Sequence, residues 1–132
     1  MNHYTAGNGA QQIKLAVDIS TNGFAWTRCF TIAPDNIKLP IPDAVSDASG
    51  DINTMAVGSA KNLQGSFVHI VTKVELFWDD IDTRKIEFGK IGTHYTLDGG
   101  TDGRKEFTTP DQTLNANGDF TTIYILMTVK LD

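Results

Sequence analysis

The stretch of residues 66–78, SFVHIVTKVELFW, alternates apolar and mixed side chains with a period of two. An α-helix would instead place its apolar residues three and four positions apart, and β-branched residues are poor helix formers. The sequence therefore predicts a long central β-strand. Its core-facing row consists of large apolar side chains: Val68, Ile70, Val74, Leu76 and Trp78.

Four further segments, residues 13–17, 23–32, 84–97 and 120–131, show the same alternation. Asn22-Gly23, a dipeptide typical of tight hairpins, lies between the first two, which we expect to pair. The alternation in 84–97 changes phase beside Gly89, as a β-bulge would produce. The large residues of these rows give an expected core: Trp26, Phe30, Val68, Ile70, Leu76, Ile123, Ile125 and Met127.

The middle of the chain carries weaker signals. Pro40 and Pro42 limit residues 37–41 to an edge strand or an extended connection. Residues 44–50 are compatible with a helical turn, and 52–57 with a short strand. No segment predicts an amphipathic helix of three turns. We therefore expect an all-β fold, an antiparallel β-sandwich or jelly roll of six to eight strands with little or no helix.

Length and charge narrow the function classes. The 132 residues correspond to one domain, and the net charge of −5 is unfavourable for binding nucleic acid or inserting into an anionic membrane. The single cysteine, Cys29, excludes an internal disulfide. Because the N-terminus lacks the pattern of a signal peptide, we expect a protein that stays in the cytoplasm or is assembled into a particle.

The glycine-rich stretch of residues 97–107, LDGGTDGRKEF, has three candidate roles: a calcium loop, a phosphate-binding loop or a turn. Counted from Asp98, the third and twelfth positions of an EF-hand would be Gly100 and Thr109, which are not ligands of the expected kind. A phosphate-binding loop would lead into a helix, whereas a strand pattern follows here. The stretch is therefore interpreted as a turn between two strands.

No constellation in the sequence predicts catalysis, a metal site or a cofactor. The histidines, His3, His69 and His94, lie far apart, and no common nucleophile or phosphate-loop motif is present. Trp78, Asp79 and Asp80 form a candidate sugar-binding group, since an exposed ring stacks on sugars and carboxylates accept hydrogen bonds from hydroxyls. The alternative is that Trp78 belongs to the core face of its strand.

Two non-enzymatic classes remain. The first is a structural subunit that associates with copies of itself or with other subunits of a larger particle, of the virion or extracellular-fibre type. The second is a β-sandwich that binds a carbohydrate or another small-molecule ligand. Apolar residues on the second face of the central strand, Phe67, Val71 and Phe77, favour the first class because a lone sandwich needs only one apolar face per strand.

The chain divides into a polar N-terminal arm, residues 1–12, and a single sandwich domain, residues 13–132. Apart from Met1, the arm carries only two sizeable side chains, those of His3 and Tyr4. We expect either that it lies on a neighbouring subunit with Tyr4 inserted as an assembly contact, or that it pairs along its own sheet edge as a short extra strand.

Overall fold

The computed structural model describes every residue from Met1 to Asp132. The elements are β1 (Asn2–Tyr4), β2 (Gln12–Ser20), β3 (Phe24–Ile32), β4 (Lys38–Val45), β5 (Ile52–Ser59), α1 (Ala60–Leu63), β6 (Phe67–Glu75), α2 (Ile81–Gly89), β7 (Gly92–Gly100), β8 (Gly103–Phe107), β9 (Gln112–Asn115) and β10 (Thr122–Leu131). Two packed sheets form a β-sandwich, one with the strand order β1-β10-β6-β3-β4 and with β9 beside β10, the other with the order β5-β2-β7-β8. Every strand pair is antiparallel except β1 with β10.

The predicted all-β sandwich is confirmed, and its core follows the period-two pattern of the two longest apolar rows. Strand β6 lies between β3 and β10 in the six-stranded sheet, as expected for the central strand. Ile70 is opposite Met127 in the register, and both side chains are buried. Six of the eight expected core residues are buried: Val68, Ile70, Leu76, Ile123, Ile125 and Met127.

The predicted facing of β3 is wrong. Residues opposite each other in neighbouring strands point to the same side of a sheet. Thr27 is opposite Thr72, inside the row of β6 that points to the core, and their hydroxyl oxygens lie 2.8 Å apart. This register turns the small side chains of β3 inward, so Trp26 is 38% exposed and Phe30 is only half-buried. The prediction assigned the largest side chains of β3 to the core, whereas they occupy its outer face.

The expected hairpin between β2 and β3 is also wrong, since the two strands belong to different sheets. β2 pairs with β5 and β7, and the connection through Asn22-Gly23 crosses the top of the sandwich. A Cβ atom on Gly23 would lie 2.4 Å from the carbonyl oxygen of Glu75. The glycine therefore allows a close approach of two backbones at the crossing.

Helix α2 replaces the first part of the strand predicted over 84–97. The carboxylate of Asp80 accepts a hydrogen bond of 2.9 Å from the backbone N–H of Thr83, a helix N-cap. The ring of Phe88 packs against Phe120 with centroids 5.2 Å apart. The phase change beside Gly89 thus marks the end of a helix, and the predicted bulge there is wrong.

Strand β4 is an edge strand of the six-stranded sheet, as its prolines predicted, although it continues to Val45. The helical turn expected over 44–50 is wrong. A tight turn follows the strand instead, in which the Asp47 carboxylate accepts hydrogen bonds from the N–H and hydroxyl of Ser49. The short strand predicted over 52–57 is confirmed as part of β5.

The N-terminal residues form a strand of their own sheet, the second of the two alternatives. β1 pairs in parallel with the last part of β10, and Tyr4 is fully buried. The Tyr4 hydroxyl donates to the carbonyl of Gly103 at 2.5 Å and accepts from the N–H of Gly100 at 2.8 Å. Tyr4 is thus held inside its own chain, which leaves none of its side chain exposed for the expected contact on a neighbouring subunit.

The glycine-rich stretch forms the β7–β8 hairpin, so its interpretation as a turn is confirmed. A Cβ atom on Gly100 would lie 2.7 Å from the ring of Tyr4 and 2.8 Å from the Cα atom of Ala6. The Asp102 carboxylate accepts a hydrogen bond of 2.7 Å from the N–H of Thr5. The composition of this turn therefore accommodates the N-terminal segment.

Candidate interaction surface

The outer face of the six-stranded sheet carries an exposed group of aromatic side chains. Phe24 and Trp26 lie on the outward row of β3, and Phe77 follows β6. Their exposed fractions are 48%, 38% and 56%. The ring of Phe24 lies 6.1 Å from Trp26 and 5.3 Å from Phe77, measured between centroids, so the three form one cluster. We call Phe24, Trp26 and Phe77 the aromatic face.

The strand register explains why these rings are outside. Trp26 is opposite Lys73 of β6, which in turn is opposite Tyr124 of β10, and this row points away from the second sheet. The inner rows of the three strands already fill the space between the sheets. The outer row of β3, which carries Phe24 and Trp26, is therefore not buried by its own sandwich. Isolated apolar residues on a surface are ordinary, whereas clustered ones indicate an interaction site.

A shallow groove of about 580 Å³ adjoins the aromatic face. Three of its side chains are cationic and one is acidic, and Glu75 is already paired with Lys73 at 3.2 Å. The Lys38 ammonium lies 4.3 Å from the ring centroid of Phe30 and forms no ion pair, and Arg28 has no acidic partner either. The groove is lined by Trp26, Arg28, Phe30, Lys38, Val71, Lys73 and Glu75.

The groove is a positive region on a chain whose net charge is −5. His69 packs beside Phe30, and its pKa responds to the positive charge of the groove. Burial lowers the pKa of His69, and the positive charge of Lys38 lowers that pKa further. Unpaired cations beside exposed rings attract a partner that offers carboxylates or other anionic groups.

Of the candidate sugar-binding group, Trp78 and Asp79 line one shallow groove of about 380 Å³ at the end of β6, and Asp80 lies outside it. Trp78 is half-buried against the core and stacks on Phe77 with centroids 4.3 Å apart. The Asp79 carbonyl accepts a hydrogen bond from the Arg84 guanidinium at 2.8 Å. The Asp80 carboxylate caps α2, and the hydrogen bonds from Thr83 lower its pKa. The group therefore anchors α2 to the end of β6.

Replacing Asp80 by Ala should destabilise the fold by about 1 kcal/mol, the usual effect of removing a helix N-cap. Two hydrogen bonds to Thr83 are lost, from its N–H and its hydroxyl. Asp79→Ala is the matched control, because the side chain of Asp79 forms no hydrogen bond. Urea unfolding of both variants measures the difference. Equal stabilities for the two would contradict the capping role of Asp80.

His3 is exposed, and its Nδ1 lies 2.9 Å from the Asp132 carboxylate at the C-terminus. Its assignment as an assembly contact stays a prediction. No group of three or more His, Cys, Asp or Glu side chains is arranged to hold a metal ion. Cys29 is buried, and burial raises the pKa of its thiol to about 12. A thiol held neutral in this way is a poor nucleophile.

Sequence reasoning missed the groove, because Arg28 and Lys38 are ten residues apart and meet only through the pairing of β3 with β4. A usable signal was present on the second rows of β3 and β6, where large side chains recur with a period of two. Phe77, noted for that reason, does belong to the aromatic face. Phe67 and Val71, noted with it, are half-buried.

Comparisons with models of protein families, with curated proteins and with solved structures give no match for this chain. None of the helices is long and apolar enough to cross a membrane.

Proposed function

We propose that this protein is a non-enzymatic structural subunit that joins copies of itself through the outer face of the six-stranded sheet, as the subunits of a particle or fibre do. The single observation that carries the proposal is the aromatic face. The ring of Phe24 packs beside those of Trp26 and Phe77, and yet each of the three is more than a third exposed. Burying such rings against a second surface is a strong source of binding free energy.

The open form of this face favours a macromolecular partner. A ligand pocket usually encloses most of a small molecule, whereas this surface is a flat sheet with a shallow groove. Flat sheet faces associate well with other sheets, because side chains of the two faces interdigitate over a large area. A second copy offers such a surface at the same concentration as the first.

Ligand binding is the second candidate, favoured by the unpaired cations of the groove. Arg28 and Lys38 line the same groove as Trp26, an arrangement that suits an acidic sugar whose ring stacks on the indole and whose carboxylate pairs with the cations. For this candidate function, the sugar site lies on the outer face of β3 and not at Trp78 and Asp80, where the sequence predicted it.

Sedimentation velocity of the intact protein between micromolar and near-millimolar concentration tests the proposal. The chain has a mass of 14.4 kDa, and we expect species at multiples of it to grow with concentration. A single species of 14.4 kDa over the whole range would contradict self-association. Addition of an oligosaccharide of uronic acids then tests the second candidate, since only ligand binding predicts quenching or enhancement of Trp26 fluorescence by the sugar.

A further inference from the structure

The loop before β4 and the outer edge of β4 are exposed, and no other strand pairs with that edge. Every residue from Pro34 to Pro40 is exposed, and so is Val45 at the end of the strand. Ile37 and Leu39 expose 55% and 59% of their surface. Natural edge strands are usually protected by charges, and apolar side chains on such an edge are typical of a contact surface.

The strand changes the sign of its charge along its length. Lys38 stands at its beginning, next to the cationic groove described above. Asp43 stands near its end, where a second groove of about 590 Å³ is lined by three carboxylates, those of Asp43, Asp47 and Asp51, and by no cationic side chain. The cationic groove runs alongside the whole strand, because Arg28 in it is opposite Val45. The anionic groove lies only at the end of the strand. The two ends of β4 itself differ in charge through Lys38 and Asp43.

A two-fold axis would bring these opposite ends together. In a contact related by two-fold symmetry, the same patch is used twice, so the patch must be complementary to itself. Two copies of β4 running in opposite directions place Lys38 of each copy beside Asp43 of the other. Pro40 and Pro42 lack the N–H needed to extend the sheet, so the contact would be made by side chains.

We propose that two copies of this chain associate across a two-fold axis at β4, with Lys38 of each copy beside Asp43 of the other and with Ile37, Leu39 and Val45 covered between them. The inference rests on the proposed self-association and specifies its first contact. Trp26 lines the cationic groove, and Val45 is opposite Arg28 in the register, so the contact continues onto the aromatic face.

Charge reversal tests this pairing. Lys38 and Asp43 form no ion pair within the chain and no hydrogen bond through their side chains. Reversal of Lys38 removes its contact with the ring of Phe30, and circular dichroism of each variant verifies the fold. In Lys38→Glu alone, two acids face each other at both ends of the contact, and in Asp43→Lys alone, two cations do. We expect each variant to associate at least about tenfold more weakly than the wild type at low salt. An equimolar mixture of the two should recover wild-type affinity, because the opposite charges then meet again at both ends.

Sedimentation equilibrium on the wild type, on each variant and on the mixture measures these affinities. Asp43 has a positive φ of 67°, so Asp43→Asn, which tolerates this conformation, is the second variant; it should weaken association by a smaller factor. Assembly of the wild type with unchanged affinity in both reversals and in the mixture would overturn the pairing at β4 and leave the proposed function intact. A wild type that stays monomeric throughout would overturn both.

Discussion

Replacing Tyr4 by Ala should lower the free energy of unfolding by about 3–5 kcal/mol, the range found when a large buried aromatic side chain is removed. Tyr4 is fully buried, and its hydroxyl connects the N–H of Gly100 to the carbonyl of Gly103. Its loss leaves a cavity and removes both hydrogen bonds that the Tyr4 hydroxyl makes with the β7–β8 hairpin. Urea unfolding followed by circular dichroism measures the change.

His3→Ala is the matched control for Tyr4, because His3 is its immediate neighbour and its side chain is exposed. Its single contact with Asp132 is a surface ion pair, which contributes at most about 1 kcal/mol. Tyr4→Phe should fall between the two, with a loss of about 1–3 kcal/mol from hydrogen-bonding groups left without a partner. A Tyr4→Ala variant as stable as His3→Ala would show that the N-terminal strand is not part of the core.

Replacing both Trp26 and Phe77 by Ser should abolish self-association in the concentration range where the wild type assembles. These two rings pack against Phe24 within the aromatic face and are 38% and 56% exposed. Central aromatic residues of an interface each contribute about 2 kcal/mol or more when truncated, so the joint loss exceeds a factor of about 100 in affinity. Sedimentation velocity gives the size distribution, and circular dichroism verifies the fold.

Ile86→Ser is the control for this variant, because Ile86 is 59% exposed on α2 and lies outside the aromatic face. It removes a comparable exposed apolar group from another surface and should leave association unchanged. If Ile86→Ser weakens assembly as much as the double variant does, nonspecific hydrophobic contact explains the association and the aromatic face does not.

The parts of the fold that the sequence predicts well are those in which one row of side chains dominates. In β6 and β10, large branched residues alternate with polar ones, so the burial of Ile70 and Ile125 follows directly from the period of two. In β3 both rows are apolar, and the smaller row of Ala25, Thr27 and Cys29 is the buried one. Only the register with β6 decides between the rows, and a register is a long-range property.

Helix α2 and the burial of Tyr4 in the core were missed for different reasons. The helix is short and has a weak apolar face, so the two-residue spacing of Ile86 and Phe88 resembles that of a strand. The local signal for a helix was Asp80, which caps its N-terminus through Thr83. Tyr4 occupies the core although its neighbours are polar, because the glycines of a hairpin about a hundred residues later leave space for its ring. No residue near Tyr4 in the sequence indicates that this space exists.

The candidate interaction surface depends on the same long-range information. Exposure of Phe24 and Trp26 follows from the phase of β3, and the meeting of Arg28 with Lys38 follows from the pairing of β3 with β4. The sequence alone predicted a surplus of apolar residues on the central strand and therefore an interface. The position of that interface required the sheet order.

Hydroxyl-radical footprinting with mass spectrometry at low and high protein concentration tests most directly whether this face is the one that assembly covers. Phe24, Trp26 and Phe77 are exposed in the single chain and react readily under dilute conditions. We expect their modification to fall several-fold as the protein assembles, while Ile86 on α2 and Met1, which is 77% exposed, react equally at both concentrations. Undiminished modification of all three aromatic residues in the assembled protein would contradict the proposal that copies join through the outer face of the six-stranded sheet.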